Sequence, residues 1–368
     1  MKVQLLDLHA QYENIMSEIR EEMDKVFTQH NYILGNQVQD FEHTMQDYLQ
    51  ANHAISCASG TDALVLALRA LQVGPGDEVI TTPFTFFATA GSIARVGAKP
   101  VFVDVDKDTF NIDADLIEAA ITDKTKAIIP VHLFGQPAEM DKIMAIAKKH
   151  NLKVIEDNAQ GIGSQFDGKY SGTIGDIGTL SFFPSKNLGC MGDGGMCLTQ
   201  DEQLSKDLAQ LRKHGENPKY IHKWVGYNSR LDTLQAAVLN VKIKYLEEWS
   251  VGRRENAKVY YENLAEVKEI KLPVIHDKAT TVYNQFTLQA EKRDELMAFL
   301  KENQISCAIY YPKPLHIQEC FADLGYEEGS LPVSEDLAKK AISIPIYTEL
   351  PKEHQLFVIA KIKEFYQK

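Results

Sequence analysis

Between about residues 52 and 200, short runs of β-branched and apolar residues alternate with stretches patterned at helical spacing. Strand–helix alternation of this kind buries its apolar faces as a mainly parallel sheet wrapped by helices. The spacing predicts strands at His53–Cys57, Glu78–Thr81, Pro100–Asp104, Ala127–His132, Lys153–Glu156, Thr179–Phe183 and Met196–Thr199. Helices are expected between them, including Thr61–Leu71, where Leu64, Ala67, Leu68 and Leu71 recur at helical spacing, and Met140–His150. A polar loop at about 215–227 breaks the pattern, and one long connector helix is expected from Arg230 to Trp249. Beyond it, helices at Arg254–Leu264, Arg293–Asn303 and Pro351–Tyr366 mix with strands at Val282–Gln289 and Ser306–Tyr310. The 368 residues therefore divide into an expected large α/β domain with a seven-stranded sheet, residues 1–245, and a smaller C-terminal α/β domain, residues 246–368.

Charge narrows the partners. Asp and Glu number 51 against 39 Lys and Arg, a net charge of −12 that would repel phosphate backbones, so nucleic acid is not an expected partner. The five cysteines, Cys57, Cys190, Cys197, Cys307 and Cys320, are odd in number and show no paired CxxC spacing, which fits reduced thiols and no metal site. Asp7 and His9 interrupt any apolar signal run at the N-terminus, and no stretch reaches the roughly 18 apolar residues of a membrane span. A cytoplasmic protein outside the membrane is expected.

Three constellations carry chemistry. Ser59-Gly60-Thr61-Asp62 lies where a strand meets a helix, and the free N–H groups of a helix start, with the Thr61 hydroxyl, suit a phosphate; an ordinary helix cap by Ser59 or Thr61 explains the same residues. Glu156 and Asp157 end a strand at the edge where open α/β sheets place ligands, and strand alternation sends them to opposite faces, so one of them meets a ligand or both are surface acids of a turn. Lys186 sits in a Pro- and Gly-punctuated loop, Phe183-Pro184-Ser185-Lys186-Asn187-Leu188-Gly189, that can hold an amine partly desolvated and so favour the neutral form a Schiff base needs; a solvated loop lysine is the commoner case. Gly161-Ile162-Gly163 lacks the third glycine of a dinucleotide fingerprint, since Phe166 stands there, and neither GxxxxGK[ST] nor HExxH occurs. His214 and His222 have no cysteine or carboxylate at metal spacing, and Phe84, Phe86 and Phe87 read as core aromatics.

Taken together, Tyr32-Ile33-Leu34-Gly35, Gly60-Thr61-Asp62-Ala63-Leu64, Pro83-Phe84-Thr85-Phe86, Glu156-Asp157-Asn158-Ala159-Gln160, Ser181 to Lys186, Gly192-Asp193-Gly194-Gly195, Asn228 to Ala237 and Tyr311 to His316 resemble, in order and spacing, the DegT/StrS sugar aminotransferases. That resemblance covers nearly the whole chain and implies a fold-type I architecture with pyridoxal 5'-phosphate as cofactor. It implies that Lys186 forms the Schiff base with the cofactor and shuttles the proton, that Asp157 pairs with the pyridinium nitrogen, that Gln160 meets the ring's phenolic oxygen and that Phe86 stacks on the ring. It further implies a phosphate cup of Gly60, Thr61, Asp62 and Ser181, with Asn228 reaching in from the neighbouring subunit of a homodimer; a cap for the connector helix is the local alternative for Asn228. Asn158 departs from the alanine common at that place in the family.

The family's substrates are nucleotide-linked keto sugars, and its amino donor is expected to be glutamate. Lys213 to Arg230, with Pro184 to Cys190, looks closest to the enzymes that aminate carbon 3 of a UDP-linked 2-acetamido-3-keto-hexuronic acid, in cell-surface polysaccharide precursor synthesis. Arg230 then offers a bidentate match to the uronate carboxylate, or else pairs locally with Asp232. Tyr310 stands where that subgroup often has histidine, which keeps open a dTDP-linked 3-keto-6-deoxyhexose as the alternative substrate. Tyr32 and Gly35 in a loop near 30–36, with Tyr311 and His316, are the remaining expected substrate contacts. A non-catalytic cofactor-binding regulatory protein is the rival of another class, and the retained Lys186 argues against it.

Overall fold

The computed structural model describes residues 1–367. All seven expected strands form one sheet. In chain order the strands are β1 (His53–Cys57), β2 (Glu78–Thr81), β3 (Lys99–Phe102), β4 (Thr125–Ile129) and β5 (Lys153–Asp157), then a short hairpin β6 (Gln165–Phe166) and β7 (Lys169–Tyr170), then β8 (Ile177–Ser181) and β9 (Gly195–Thr199). The sheet order is β1-β9-β8-β5-β4-β2-β3, and only β9 runs against its neighbours. The C-terminal ends of β1, β2, β5 and β8 therefore share one edge with the start of β9, where Gly195 is opposite both Cys57 and Ser181. Loops leaving that edge carry every constellation singled out above from Ser59 to Lys186.

One helix fixes the geometry of this edge. Gly60–Ala70 is apolar around most of its circumference, with Ala63, Leu64, Val65, Leu66, Ala67, Leu68 and Ala70 all buried, as expected of a helix enclosed by the fold. It packs on Ile155, Ile177 and Cys197 of the sheet. Ser59 caps it by accepting from the Asp62 N–H, so the helix starts one residue earlier than the spacing predicts, at Gly60.

The connector differs from expectation. Instead of one helix over Arg230–Trp249, residues 230–232 stay outside any helix, Thr233–Lys242 is helical, a 3-10 turn follows at Ile243–Tyr245, and a second helix runs Leu246–Leu264 through the expected Arg254–Leu264 segment. Asp232 is extended because it bridges Ile33, and Gly35 N–H donates to Thr233 Oγ1, so the 30–36 loop is pinned to the connector and delays the helix. The N-terminal helices Met16–Gln29 and Asn36–Leu49 cover the connector, bringing Ile19 onto Val238 and Val241, and Phe41 and Met45 onto Leu239.

A second sheet, ordered β10 (Ile270–Lys271), β12 (Phe286–Ala290) and β13 (Ala341–Ile344), has its own apolar cluster around Tyr260, Phe286 and Ile342, joined by Val3. A further short strand, β11 (Ala279–Thr280), pairs with β6. The expected strand at Ser306–Tyr310 does not form. Ala308 alone bridges Ser343, and the next residues turn toward the main sheet, where Tyr311 meets Gln160. No helix among the described residues is long and apolar enough to cross a membrane.

Candidate active site

The two neighbouring acids at the end of β5 have separate surroundings. Glu156 is fully buried and accepts four hydrogen bonds: from the N–H groups of Gly172 (2.7 Å), Ile174 (2.7 Å) and Gly175 (2.6 Å), and from His132 Nε2 (2.8 Å). His132 Nδ1 accepts from the Ala138 N–H, which leaves the ring's proton on Nε2 as the donor to Glu156. Asp157 faces the opposite side, where its Oδ2 accepts from Thr89 Oγ1 at 2.7 Å and its Oδ1 from the Ala159 N–H at 3.3 Å. Burial pushes the Asp157 carboxyl up, while Thr89, the Ala159 N–H and the charge of Lys186 pull it down.

Lys186 lies across the same edge, on the loop between β8 and β9, with its N–H donating to the Phe183 carbonyl. Burial pushes its ammonium down to about 8 against the pull of Asp157. Among the described residues, nothing hydrogen-bonds or ion-pairs with its Nζ. A desolvated amine facing a buried carboxylate, with no partner of its own, is a group placed for reaction rather than for stability.

At the start of the Gly60–Ala70 helix, Ser59 Oγ takes the Asp62 N–H, and the N–H groups of Gly60 and Thr61 have no partner among the described residues. Ser181 packs directly over Gly60: a Cβ at residue 60 would sit 2.6 Å from the serine's own. Gly195 is as tightly placed, since a Cβ there would lie 2.3 Å from the Ser59 carbonyl. Asp62 turns its carboxylate to Ser229, whose hydroxyl donates to Oδ2 at 2.7 Å and accepts from the Ala58 N–H. Ser229 thus ties the ribbon carrying Asn228 and Arg230 to the helix start, a link that no sequence motif singled out.

Asn228 is exposed and accepts from Arg230 Nη2. It does not cap the connector helix, whose N-cap is Asp232, four residues further on. Nor does Arg230 pair with Asp232: its only side-chain partner among the described residues is Asn228. Gln160 is held at both ends, accepting from the Phe134 N–H at 2.7 Å and donating to the Tyr311 hydroxyl at 3.1 Å. Of the three phenylalanines expected in the core, Phe84 is fully buried, but Phe86 is 58% exposed and Phe87 48% exposed. The Phe86 ring is 6.4 Å from that of Tyr311. Tyr32 is exposed on the pinned loop. His316, by contrast, is turned inward: its ring is 1% exposed and Nε2 pairs with Glu335 at 3.0 Å.

The same fold recurs in known proteins. The chain superposes on Streptomyces venezuelae DesV in complex with a ketimine intermediate with a TM-score of 0.98, at 39% identity and covering 100% of this chain and 99% of that one. It is 53% identical to a pleiotropic regulatory protein of Geobacillus stearothermophilus over 100% of this chain and 99% of that protein. It is 46% identical to a UDP-N-acetyl-3-dehydro-α-D-glucosamine 3-aminotransferase of Acidithiobacillus ferrooxidans, covering 98% and 96%, and 44% identical to a UDP-2-acetamido-2-deoxy-3-oxo-D-glucuronate aminotransferase of Pseudomonas aeruginosa, covering 95% and 96%. Fold and cleft together define an α/β aminotransferase that uses pyridoxal phosphate. Residues 13–363 match the DegT/DnrJ/EryC1/StrS aminotransferase family, and the chain belongs to it.

Proposed function

We propose that this aminotransferase moves an amino group from glutamate to carbon 3 of a UDP-linked 2-acetamido-2-deoxy-3-keto-hexuronic acid, as a cytoplasmic homodimer that supplies precursors of cell-surface polysaccharide. The cleft fits the cofactor: two unpartnered helix-start N–H groups suit its phosphate, a buried carboxylate suits its ring nitrogen, an unpartnered amine suits its aldehyde and an exposed aromatic suits its ring face. Pyridoxal phosphate supplies, when bound, an electron sink and a temporary carrier for nitrogen.

The chain's own residues do the rest. Gly60, Thr61 and Ser181 form the phosphate cup; Asp62, expected in it, has its N–H taken by Ser59 and its carboxylate by Ser229, and so fixes the helix start behind the cup. Asp157 would hold a proton on the ring nitrogen, Gln160, with one amide hydrogen left beyond its bond to Tyr311, would donate to the phenolic oxygen, and Phe86 would cover the ring. Lys186 Nζ would anchor the cofactor and would be the base that moves a proton. Asn228, exposed beside the apolar Tyr220, Ile221 and Val225 of the same ribbon, reaches the phosphate of a second copy's site. Residues 1–245 bind the cofactor and residues 246–368 form the smaller domain, which contributes Tyr311. Tyr32, Gly35 and Tyr311 border the sugar; buried His316 supports the 313–335 segment through Glu335.

Capture of the cofactor tests the state of Lys186. Only a neutral amine attacks an aldehyde, and its ammonium stands near 8. Between about pH 6 and pH 8 the apoprotein is expected to bind pyridoxal phosphate about tenfold faster per pH unit and to level off above that, as read by stopped-flow absorbance. A rate still climbing at pH 10 would mean an ordinary solvated lysine.

The observation that carries the uronate is Arg230, a cation on the cup's ribbon with no carboxylate partner among the described residues. Both UDP-sugar aminotransferases above act, by their names, on 3-keto sugars with a nitrogen at carbon 2, and they differ in the carboxylate. Removing a hydrogen bond to a charged group costs about 1.5–3 kcal/mol, so Arg230→Ala is expected to lower kcat/KM for the uronate about 10- to 100-fold while sparing the uncharged 3-keto sugar. Equal losses on both would remove Arg230 from carboxylate recognition. The dTDP-linked 3-keto-6-deoxyhexose is the second reading, favoured by dTDP-sugar transaminases among the relatives, and turnover of it alone would establish it.

A further inference from the structure

Neither Thr89 nor Thr85 has been given a part in the reaction, yet both are buried at the ring end of the cleft. Thr89 Oγ1 is 2.7 Å from Asp157 Oδ2, and Thr85 Oγ1 is 3.1 Å from Thr89 Oγ1. An ionised carboxylate can only accept, so the Thr89 hydroxyl must donate to Asp157. Its oxygen is then left to accept, and the Thr85 hydroxyl must donate to it. The direction of both hydrogen bonds is thereby fixed by the charge at one end.

We propose that Thr89, polarised by Thr85, is a positioning residue for transamination, whose donated hydrogen bond keeps Asp157 ionised and so keeps the proton on the cofactor's ring nitrogen. This rests on the pairing of Asp157 with that nitrogen. A hydrogen bond to the charged form favours it, and a chain of two strengthens the terminal one. Without Thr89 the carboxyl rises further, because burial already pushes it up and the Ala159 N–H and Lys186 are left to oppose that. Tyr311, the other titratable group near Asp157, is itself held neutral by burial and cannot compensate. The proton of the pair then shifts from ring nitrogen to carboxylate, and the ring loses its power to accept electrons.

The test is nitrogen NMR of holoenzyme loaded with pyridoxal phosphate labelled with ¹⁵N in the ring. Wild type is expected to show the protonated ring resonance. Thr89→Val, nearly the same shape, moves it toward the neutral position, Thr89→Ser keeps it, and Thr85→Val moves it less in the same direction. In kinetics, Thr89→Val lowers kcat about tenfold or more with the donor KM nearly unchanged, and Thr89→Ser restores it. A Thr89→Val resonance identical to wild type overturns the proposal. Asp157→Asn separates the two levels: a resonance that stays protonated in that variant shows that Asp157 does not hold the ring proton, and the functional reading of Asp157 fails first. Should Thr89→Val not fold, the shift in Thr85→Val decides.

Discussion

Replacing Lys186 with alanine is expected to abolish transamination and leave the fold intact. Among the described residues the side chain makes no hydrogen bond or ion pair, so its truncation strands no partner. It also removes an amine whose ammonium is held near 8 by burial, a group the fold is strained to keep charged. What is lost is chemical: the covalent anchor of the cofactor and the base that moves the proton, of which the second alone contributes about 10²–10⁴-fold. A loss exceeding about 10⁴-fold with an unchanged melting temperature is the expected pair of results. Retained turnover would show that the loop lysine is a bystander and would revive the regulatory alternative.

The second large effect separates two adjacent acids. Glu156→Ala leaves three backbone N–H groups and the His132 N–H unpartnered in a fully buried place. Breaking a buried network in this way costs about 3–5 kcal/mol, a fall in melting temperature on the order of 5–10 °C. Asp157→Asn should barely move stability, since the amide has the same shape and keeps an oxygen to accept from Thr89. Its cost falls on the ring nitrogen, with activity expected to drop at least about 100-fold. Thermal melts and rates of both variants check this; a stable Glu156→Ala or an active Asp157→Asn would mean that the two faces of β5 have been assigned the wrong way round.

The contrast also shows what a sequence can and cannot display. Strand alternation places Glu156 and Asp157 on opposite faces, but it does not say which face meets the ligand; the Gly172–Gly175 loop that occupies Glu156 decides, and it comes from a distant turn. All seven strands of the main sheet were legible because apolar runs bounded by turns are local signals. The break in the connector was not, because it comes from the 30–36 loop, roughly 200 residues away, pairing with Asp232 and Thr233. The absent strand near residue 306 is the same lesson: an alternating pattern is overridden where Tyr311 is drawn to Gln160. Lys186, Asp157 and the helix start were visible as types at the right edge, whereas Thr89 and Ser229 act only through contacts across the fold, 68 and 167 residues from their partners. Phe86 and Phe87 read as core because aromatics usually are, yet both stand about half exposed, which the aromatic pattern alone does not display.

The central claim is that Lys186 and Asp157 operate pyridoxal phosphate as a carrier of nitrogen, and a visible absorption spectrum of the purified holoenzyme with and without glutamate tests it directly. The account predicts a visible band from the cofactor bound to Lys186 that converts on adding glutamate to the near-ultraviolet band of the aminated cofactor, and returns when the keto sugar is added. A bound cofactor whose band glutamate and every other amino donor leave unchanged, or a protein that binds no pyridoxal phosphate, would contradict it.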